Sequence, residues 1–252
     1  RIALLEAAVH EKLFHRTTRK VTLTGQGEIV HQWALRILED VDLMGEALSR
    51  EKAAPRGLLR ICSSTGFGRS RLAPALSALA VRYPQLEIQV ELFDRLVDLV
   101  EEGYDMAIRI ATLENSSLVS KRLATTRMVL CASPAYLQQA GTPLHPAELA
   151  RHAVISYSYW STKDEWRFTG PDGPVTVKTH PCIHTNNGDT CREVALAHQG
   201  IVLQPDFLVS DALASGQLVP LLPDFDGEEI GVYVVYPSRQ HLSVKVRVLV
   251  DF

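Results

Sequence analysis

The sequence predicts an α/β protein, and three observations carry that expectation. From Gly57 onward, short β-branched runs alternate with amphipathic stretches, the pattern of a parallel sheet with helices on its faces. Ahead of that alternation, apolar residues recur at Val30, Ala34, Ile37, Val41, Met44 and Leu48 with spacings of four and three, a heptad seam. Ahead of the seam, a basic turn sits between two short extended arms. The composition permits such a fold: of 252 residues, 46% are hydrophobic and 22% charged, enough to bury a real core.

Taken in order, residues 1–9 read as the end of an amphipathic helix (Ile2, Leu5, Ala8, Val9) already under way at Arg1, so a segment upstream is expected. Leu13-Phe14 and the polar run His15 to Thr24 read as a β-wing. Thr24 can cap a helix that continues to about Lys52, roughly 40 Å at about 1.5 Å per residue. Its outer positions carry Glu39, Asp40, Asp42, Glu46, Arg50 and Glu51. Such a helix has no sequence neighbour to pack on, so pairing with a second copy is expected, although a core-facing stripe of one buried helix gives the same pattern.

Strands are then expected at 57–63, 86–93, 105–110, 127–132, 154–157, 175–178, 200–203 and 232–237. Helices are expected at 69–83, 95–102, 190–198 and 241–252, with another after Pro205. The net charge of −3 excludes a chain that is basic all over, so any nucleic-acid contact must come from a local patch. Cys62, Cys131, Cys182 and Cys191 form no CxxC pair, which fits a reducing cytoplasm. Neither a membrane span nor a signal segment is read, so a soluble, unexported protein is expected.

LFHRTTRKVTLTGQG, from Leu13 to Gly27, resembles the wing and linker-helix start of LysR-type transcriptional regulators, and RIALLEA resembles the second half of their recognition helix. GYDMAIRI (103–110), RMVLCASPAYL (127–137), GIVLQPDFLV (200–209) and the terminal PSRQHLSVKVRVLVDF are similar to later parts of the same family, in particular its CrgA-like branch. The resemblance implies a partial winged helix-turn-helix over 1–24 and a dimerising linker helix over 25–56. It implies a periplasmic-binding-protein-like (type 2) effector domain over 57–252, of two subdomains (57–126 plus 237–252, and 127–236). Two strands would cross the cleft between them, near 127–132 and 232–236. The family's first two helices are absent from the sequence.

The wing carries Lys12, Arg16, Arg19 and Lys20 against Glu11, a local excess of +3. Cations on a thin turn suit phosphate and minor-groove contact. With Arg1, Thr17 and Thr18 they form the candidate DNA-binding set; a solvated basic turn is the plainer alternative. Ser63-Ser64-Thr65-Gly66-Phe67 follows a strand and precedes a helix, where open α/β sheets offer backbone N–H groups to a ligand. Asn186-Asn187-Gly188 opens a second helix and would face it, unless it serves only as an N-cap. Arg109 would add a cation for a carboxylate, or else pair with Asp105 or Asp189. Ile110 and Pro205, at strand ends, complete the candidate effector set.

Gly66-Phe67-Gly68-Arg69-Ser70-Arg71 imitates a dinucleotide fingerprint but places Arg71 where the third glycine belongs. His180, Cys182 and His184 share a strand face, with Cys191 as a conceivable fourth metal ligand, yet Pro181 interrupts the strand. No metal or cofactor is expected, and no catalytic constellation is present. The expected function is a DNA-binding regulator that senses a small molecule, an organic anion, as a homodimer or homotetramer. The alternative is a stand-alone solute-binding protein, and an enzyme comes last.

Overall fold

The computed structural model describes residues 1–16, 20–48, 54–111, 119–160, 162–237 and 243–252. The chain opens with helix α1 (Ile2–Val9), strands β1 (Phe14–Arg16) and β2 (Val21–Leu23), and the 24-residue helix α2 (Gly25–Leu48). β1 and β2 pair antiparallel as the expected hairpin. Thr24 joins wing to helix: its hydroxyl accepts from the Gly27 N–H at 2.9 Å and donates to the Lys12 carbonyl at 2.6 Å. Gly27 is required here because a Cβ would run into the Leu13 carbonyl. Thr17, Thr18, Arg19 and the Leu48 side chain lie outside the described residues.

Next come β3 (Gly57–Ser63), the short helix α3 (Thr65–Phe67), a π-turn (Gly68–Leu72) and α4 (Ala73–Arg82). β4 (Leu86–Leu92), β5 (Met106–Ala111) and the long β6 (Val119–Ala132) follow, then α5 (Pro134–Ala140) and a 3-10 turn (Pro146–Arg151). The chain continues with β7 (Val154–Tyr157), β8 (Glu165–Gly170), β9 (Gly173–Lys178), β10 (Pro181–Thr185), α6 (Gly188–Leu196), β11 (Ile201–Pro205) and α7 (Asp206–Ala214). It closes with β12 (Val219–Pro220), β13 (Asp226–Gly227), β14 (Glu229–Tyr236) and α8 (Val244–Asp251).

One strand organises two halves. β6 pairs with β14 from Val119 to Arg127, and with β11 from Met128 to Ala132. The first half therefore runs β6-β14-β5-β3-β4 and the second β10-β7-β11-β6, with β12 on the outer edge of β6. β3, β4 and β5 are parallel, as are β7, β10 and β11, but β14 and β6 run against their neighbours. The sheet is thus mixed rather than all parallel, because a strand that carries the chain from one half to the other returns in the opposite sense. β14 pairs only with β5 and β6 of the first half, so 232–236 sits there and not in the second half where it was expected. A small sheet β13-β8-β9 covers the second half; β9 contains the strand expected at 175–178, whereas β8, which pairs with it as a hairpin, went unread in the sequence.

Two apolar clusters fill the first half. Leu59, Ile61, Leu79, Met106, Ile108, Val234 and Val246 lie between the sheet and the two helices α4 and α8. Cys62, Val97, Leu99, Tyr104 and Ala107 pack on the other face, beneath the segment 93–104. That segment is not the helix expected at 95–102. The Asp98 carboxylate instead accepts from the Val100 and Glu101 N–H groups at 2.9 and 3.0 Å, a local turn that competes with helix. Gly103 then takes φ +72. Asp105 anchors the half: it accepts from the Arg60 N–H at 2.7 Å and pairs with Lys245 at 3.0 Å, both side chains largely buried.

Candidate ligand cleft

The two halves meet where β3 and β10 end and α3, α6 and α7 begin. Phe67 stands edge-on to Phe207, ring centroids 5.4 Å apart. Leu208 of α7 covers both Gly66 and Gly188, where a Cβ on either glycine would collide with it. Arg69 reaches across to Asp189 at 2.6 Å. Asp94, at the start of the irregular segment after β4, bridges the halves: Oδ1 accepts from the Thr65 N–H at 3.1 Å and Oδ2 from the Asn187 amide at 2.8 Å.

Most of the candidate cleft residues converge on this seam. Ser63 is buried, with no hydrogen-bond partner for its hydroxyl among the described residues. Ser64 precedes α3 and its carbonyl accepts from Gly68. Asn187 caps α6, its Oδ1 accepting from the Thr190 N–H and hydroxyl at 2.8 and 3.0 Å. Asn186 donates to the Tyr159 hydroxyl at 3.5 Å. Ile110 touches the cores of both halves, and Pro205 is buried ahead of α7.

Arg109 pairs with neither Asp105 nor Asp189 among the described residues. Its guanidinium donates to the Val97 carbonyl at 2.8 Å, clasping the 93–104 segment. The expected ion-pair partners are engaged elsewhere, Asp105 with Lys245 and Asp189 with Arg69. Period-two alternation placed Arg109 beside Ala107 correctly, but that face lies under the 93–104 segment, whose fold was not legible. Asp94 is the functional candidate that sequence reasoning missed. Its position just past a parallel strand's carboxyl end was the available signal.

A concavity of about 160 Å³ opens at the carboxyl ends of β7 and β10 and is lined by Ser156, Tyr157, Ser158, Lys163, Asp164 and His184. Asp164 holds it together, accepting from the Ser156 hydroxyl at 3.0 Å and lying 3.2 Å from His184 Nε2. Of the other conceivable metal ligands, Cys182 donates to the Val154 carbonyl and Cys191 lies on the buried face of α6. No cluster able to hold a metal occurs among the described residues. Burial pushes the Cys62 thiol up to about 11 and those of Cys131 and Cys191 to about 12.

At the other end of the chain, α2 leaves its apolar face uncovered: Ile37, Val41 and Met44 are 60%, 53% and 59% exposed. Val30 is half-buried and Ala34 exposed. Ile29 and Trp33, which the seam omits, are also exposed. Arg1, Lys12 and Lys20 are exposed in the N-terminal segment, and Arg16 lies 4.0 Å from Glu6 with its side chain mostly in solvent. Among the described residues no helix is long and apolar enough to cross a membrane.

Residues 52–252 match the family model of the LysR substrate binding domain. The chain belongs to the LysR-type transcriptional regulators. Its relatives in that family are regulators rather than enzymes. It is 43% identical to the transcriptional regulator DmlR of Escherichia coli K12, over 100% of this chain and 82% of that protein. It is 34% identical to the transcriptional activator TtdR of the same strain, over 100% of this chain and 81% of that one. Among LysR-type structures, CrgA of Neisseria meningitidis superposes with a TM-score of 0.72 at 29% identity, covering 100% of this chain and 85% of that one. The Vibrio cholerae virulence activator AphB gives 0.69 at 27%, covering 99% and 86%. The α/β fold with a periplasmic-binding-protein-like regulatory domain is that of these LysR-type neighbours.

Proposed function

We propose that this LysR-type regulator senses a small organic anion at the seam between the two halves of residues 57–252, and that the complete protein carries the response to DNA. One observation supports the anion: two donors from opposite halves, the Thr65 N–H and the Asn187 amide, already converge on a carboxylate, that of Asp94. Hydrogen bonds to an ionised acceptor are roughly twice as strong as neutral ones. A free carboxylate would therefore be favoured at this seam over a neutral ligand.

The remaining assignments follow the chemistry of each region. The exposed face of α2 supports a homo-oligomer paired through Val30, Ala34, Ile37, Val41, Met44 and Leu48. The basic residues Arg1, Lys12, Arg16, Arg19 and Lys20, with Thr17 and Thr18, would meet DNA in the complete protein. Four free cysteines suit the reducing cytoplasm. The domain division is kept as 1–24, 25–56 and 57–252, with β14 moved to the first half.

The test is a melting series of the chain with acetate, succinate and the neutral diamide of succinate. A ligand at about 100 times its Kd stabilises by roughly 2.7 kcal/mol, a rise of about 5 to 10 °C for a protein of this size. The carboxylates should raise the melting temperature and the diamide should not. Equal stabilisation by the diamide would overturn the anion reading.

A further inference from the structure

Asp94 is the group across the seam whose position the proposed anion site does not by itself explain. Its carboxylate has both oxygens bonded to donors that an incoming ligand would need, one from each half. The Asn187 amide cannot turn to offer its oxygen instead, because that oxygen already caps α6 through Thr190. Both donors therefore point at one spot and require an acceptor there. Asp94 itself lies on an irregular segment between β4 and β5, not in a ladder, so moving it breaks no strand pairing. Around it the seam holds Gly66 and Gly188, both covered by Leu208 with Asp189 and Gln204 close by, and the buried Ser63 hydroxyl, two residues before Thr65, has no partner among the described residues.

We infer that Asp94 is a built-in occupant of the ligand's carboxylate seat, which an effector anion must displace, so that this side chain sets both the affinity threshold and the closed state of the unliganded cleft. The inference rests on the anion reading of the same site. Displacement exchanges one carboxylate for another on the same two donors. The Asp94–Asn187 bridge is lost, the ligand takes over that link between halves, and the polar ties Arg69–Asp189 and Thr126–Asp206 remain. Two effects oppose a ligand while Asp94 stays: it fills the seat, and its charge repels a second anion.

Acetate and succinate, titrated calorimetrically into wild type, Asp94→Ala and Asp94→Asn, separate the possibilities. Asp94→Ala empties the seat and removes the charge, whereas Asp94→Asn removes the charge and keeps the bulk. The expected order of affinity is Asp94→Ala above Asp94→Asn above wild type, with at least about a tenfold gain, equivalent to about 1.4 kcal/mol, between the first and the last. Adding Asn187→Ala to Asp94→Ala should abolish the gain, since one of the two donors is then gone. Melting of each unliganded variant shows whether it is folded, and Asp94→Asn keeps the question answerable should Asp94→Ala be too unstable.

Equal binding to wild type and both variants would leave the anion reading standing and overturn the role of Asp94. Equal gains in the two variants would reduce Asp94 to a repelling charge and overturn seat occupancy. No carboxylate binding to any of the three would bring down the anion reading itself, and the inference with it. A merely structural Asp94 would lower the melting temperature without any gain for the probes.

Discussion

The apolar face of α2 and the seam between the two halves differ in how far this chain covers them. On α2, Ile37, Val41 and Met44 are more than half exposed, and the partner proposed for them is a second copy of the chain. At the seam, Phe67 meets Phe207, Leu208 covers two glycines, and Asp94 and Arg69 find Asn187 and Asp189. Its partners are internal, supplied by residues about 90 to 140 positions away in sequence. A surface of the first kind makes behaviour depend on protein concentration. One of the second kind makes it depend on the packing of a single chain and on whatever ligand competes with that packing.

The sharpest way to break the comparison is to put a charge on α2. Ile37→Asp and Val41→Asp should each weaken self-association by more than about a hundredfold, because a paired helix would have to desolvate an uncompensated carboxylate from each copy, at several kcal/mol. Sedimentation at micromolar concentration measures it. If both variants kept the parent's mass, α2 would not be the interface and its exposure would need another explanation.

A single-chain contact should behave differently. Lys245→Met leaves Asp105 buried among Leu58, Arg60 and the sheet without its cation, and breaking a buried pair in this way costs about 3 to 5 kcal/mol. Chemical unfolding should register that loss equally at low and high protein concentration; a loss that grew on dilution would mean α8 helps hold the oligomer. Phe67→Ala removes the ring that meets Phe207 and should cost about 2 kcal/mol, at the low end for a partly buried aromatic. A loss no greater than a surface substitution would mean the seam is polar tie rather than packed interface.

Smallest of all is Arg69→Gln. The guanidinium is 58% exposed, so its pair with Asp189 should contribute less than about 1 kcal/mol and fade with salt. A larger effect would mark it as the principal latch in place of Asp94. A control on the packing of both halves comes from the thiols. Their high pKa values keep Cys62, Cys131 and Cys191 protonated and inert at pH 8, so only the exposed Cys182 should react with a thiol reagent before unfolding.

What the sequence made legible follows period and punctuation. The heptad gave α2, the Thr24 cap gave its start, and β3 and β7 fell at 57–63 and 154–157 as read. The family resemblance carried the regulatory fold. Two segments were misread or missed: 95–102 has a helix-like spacing of Leu96, Leu99 and Val100, yet the Asp98 turn prevails, and β8 passed unseen ahead of the turn residues Pro171-Asp172-Gly173 although its partner β9 was read at 175–178.

The sequence by itself determined that this is an α/β chain of the LysR family with a long amphipathic helix, because strand and helix periods and the wing motif are local and survive without any tertiary contact. Only the tertiary structure decided which groups meet at the seam. Arg109, chosen by its place at a strand end, is turned to Val97 by the fold of a segment that local pattern misassigned. Asp94, in no motif, is brought 2.8 Å from Asn187. That juxtaposition depends on how the two halves, joined through β6, pack against each other, and no spacing along the chain encodes the distance between residues 93 positions apart.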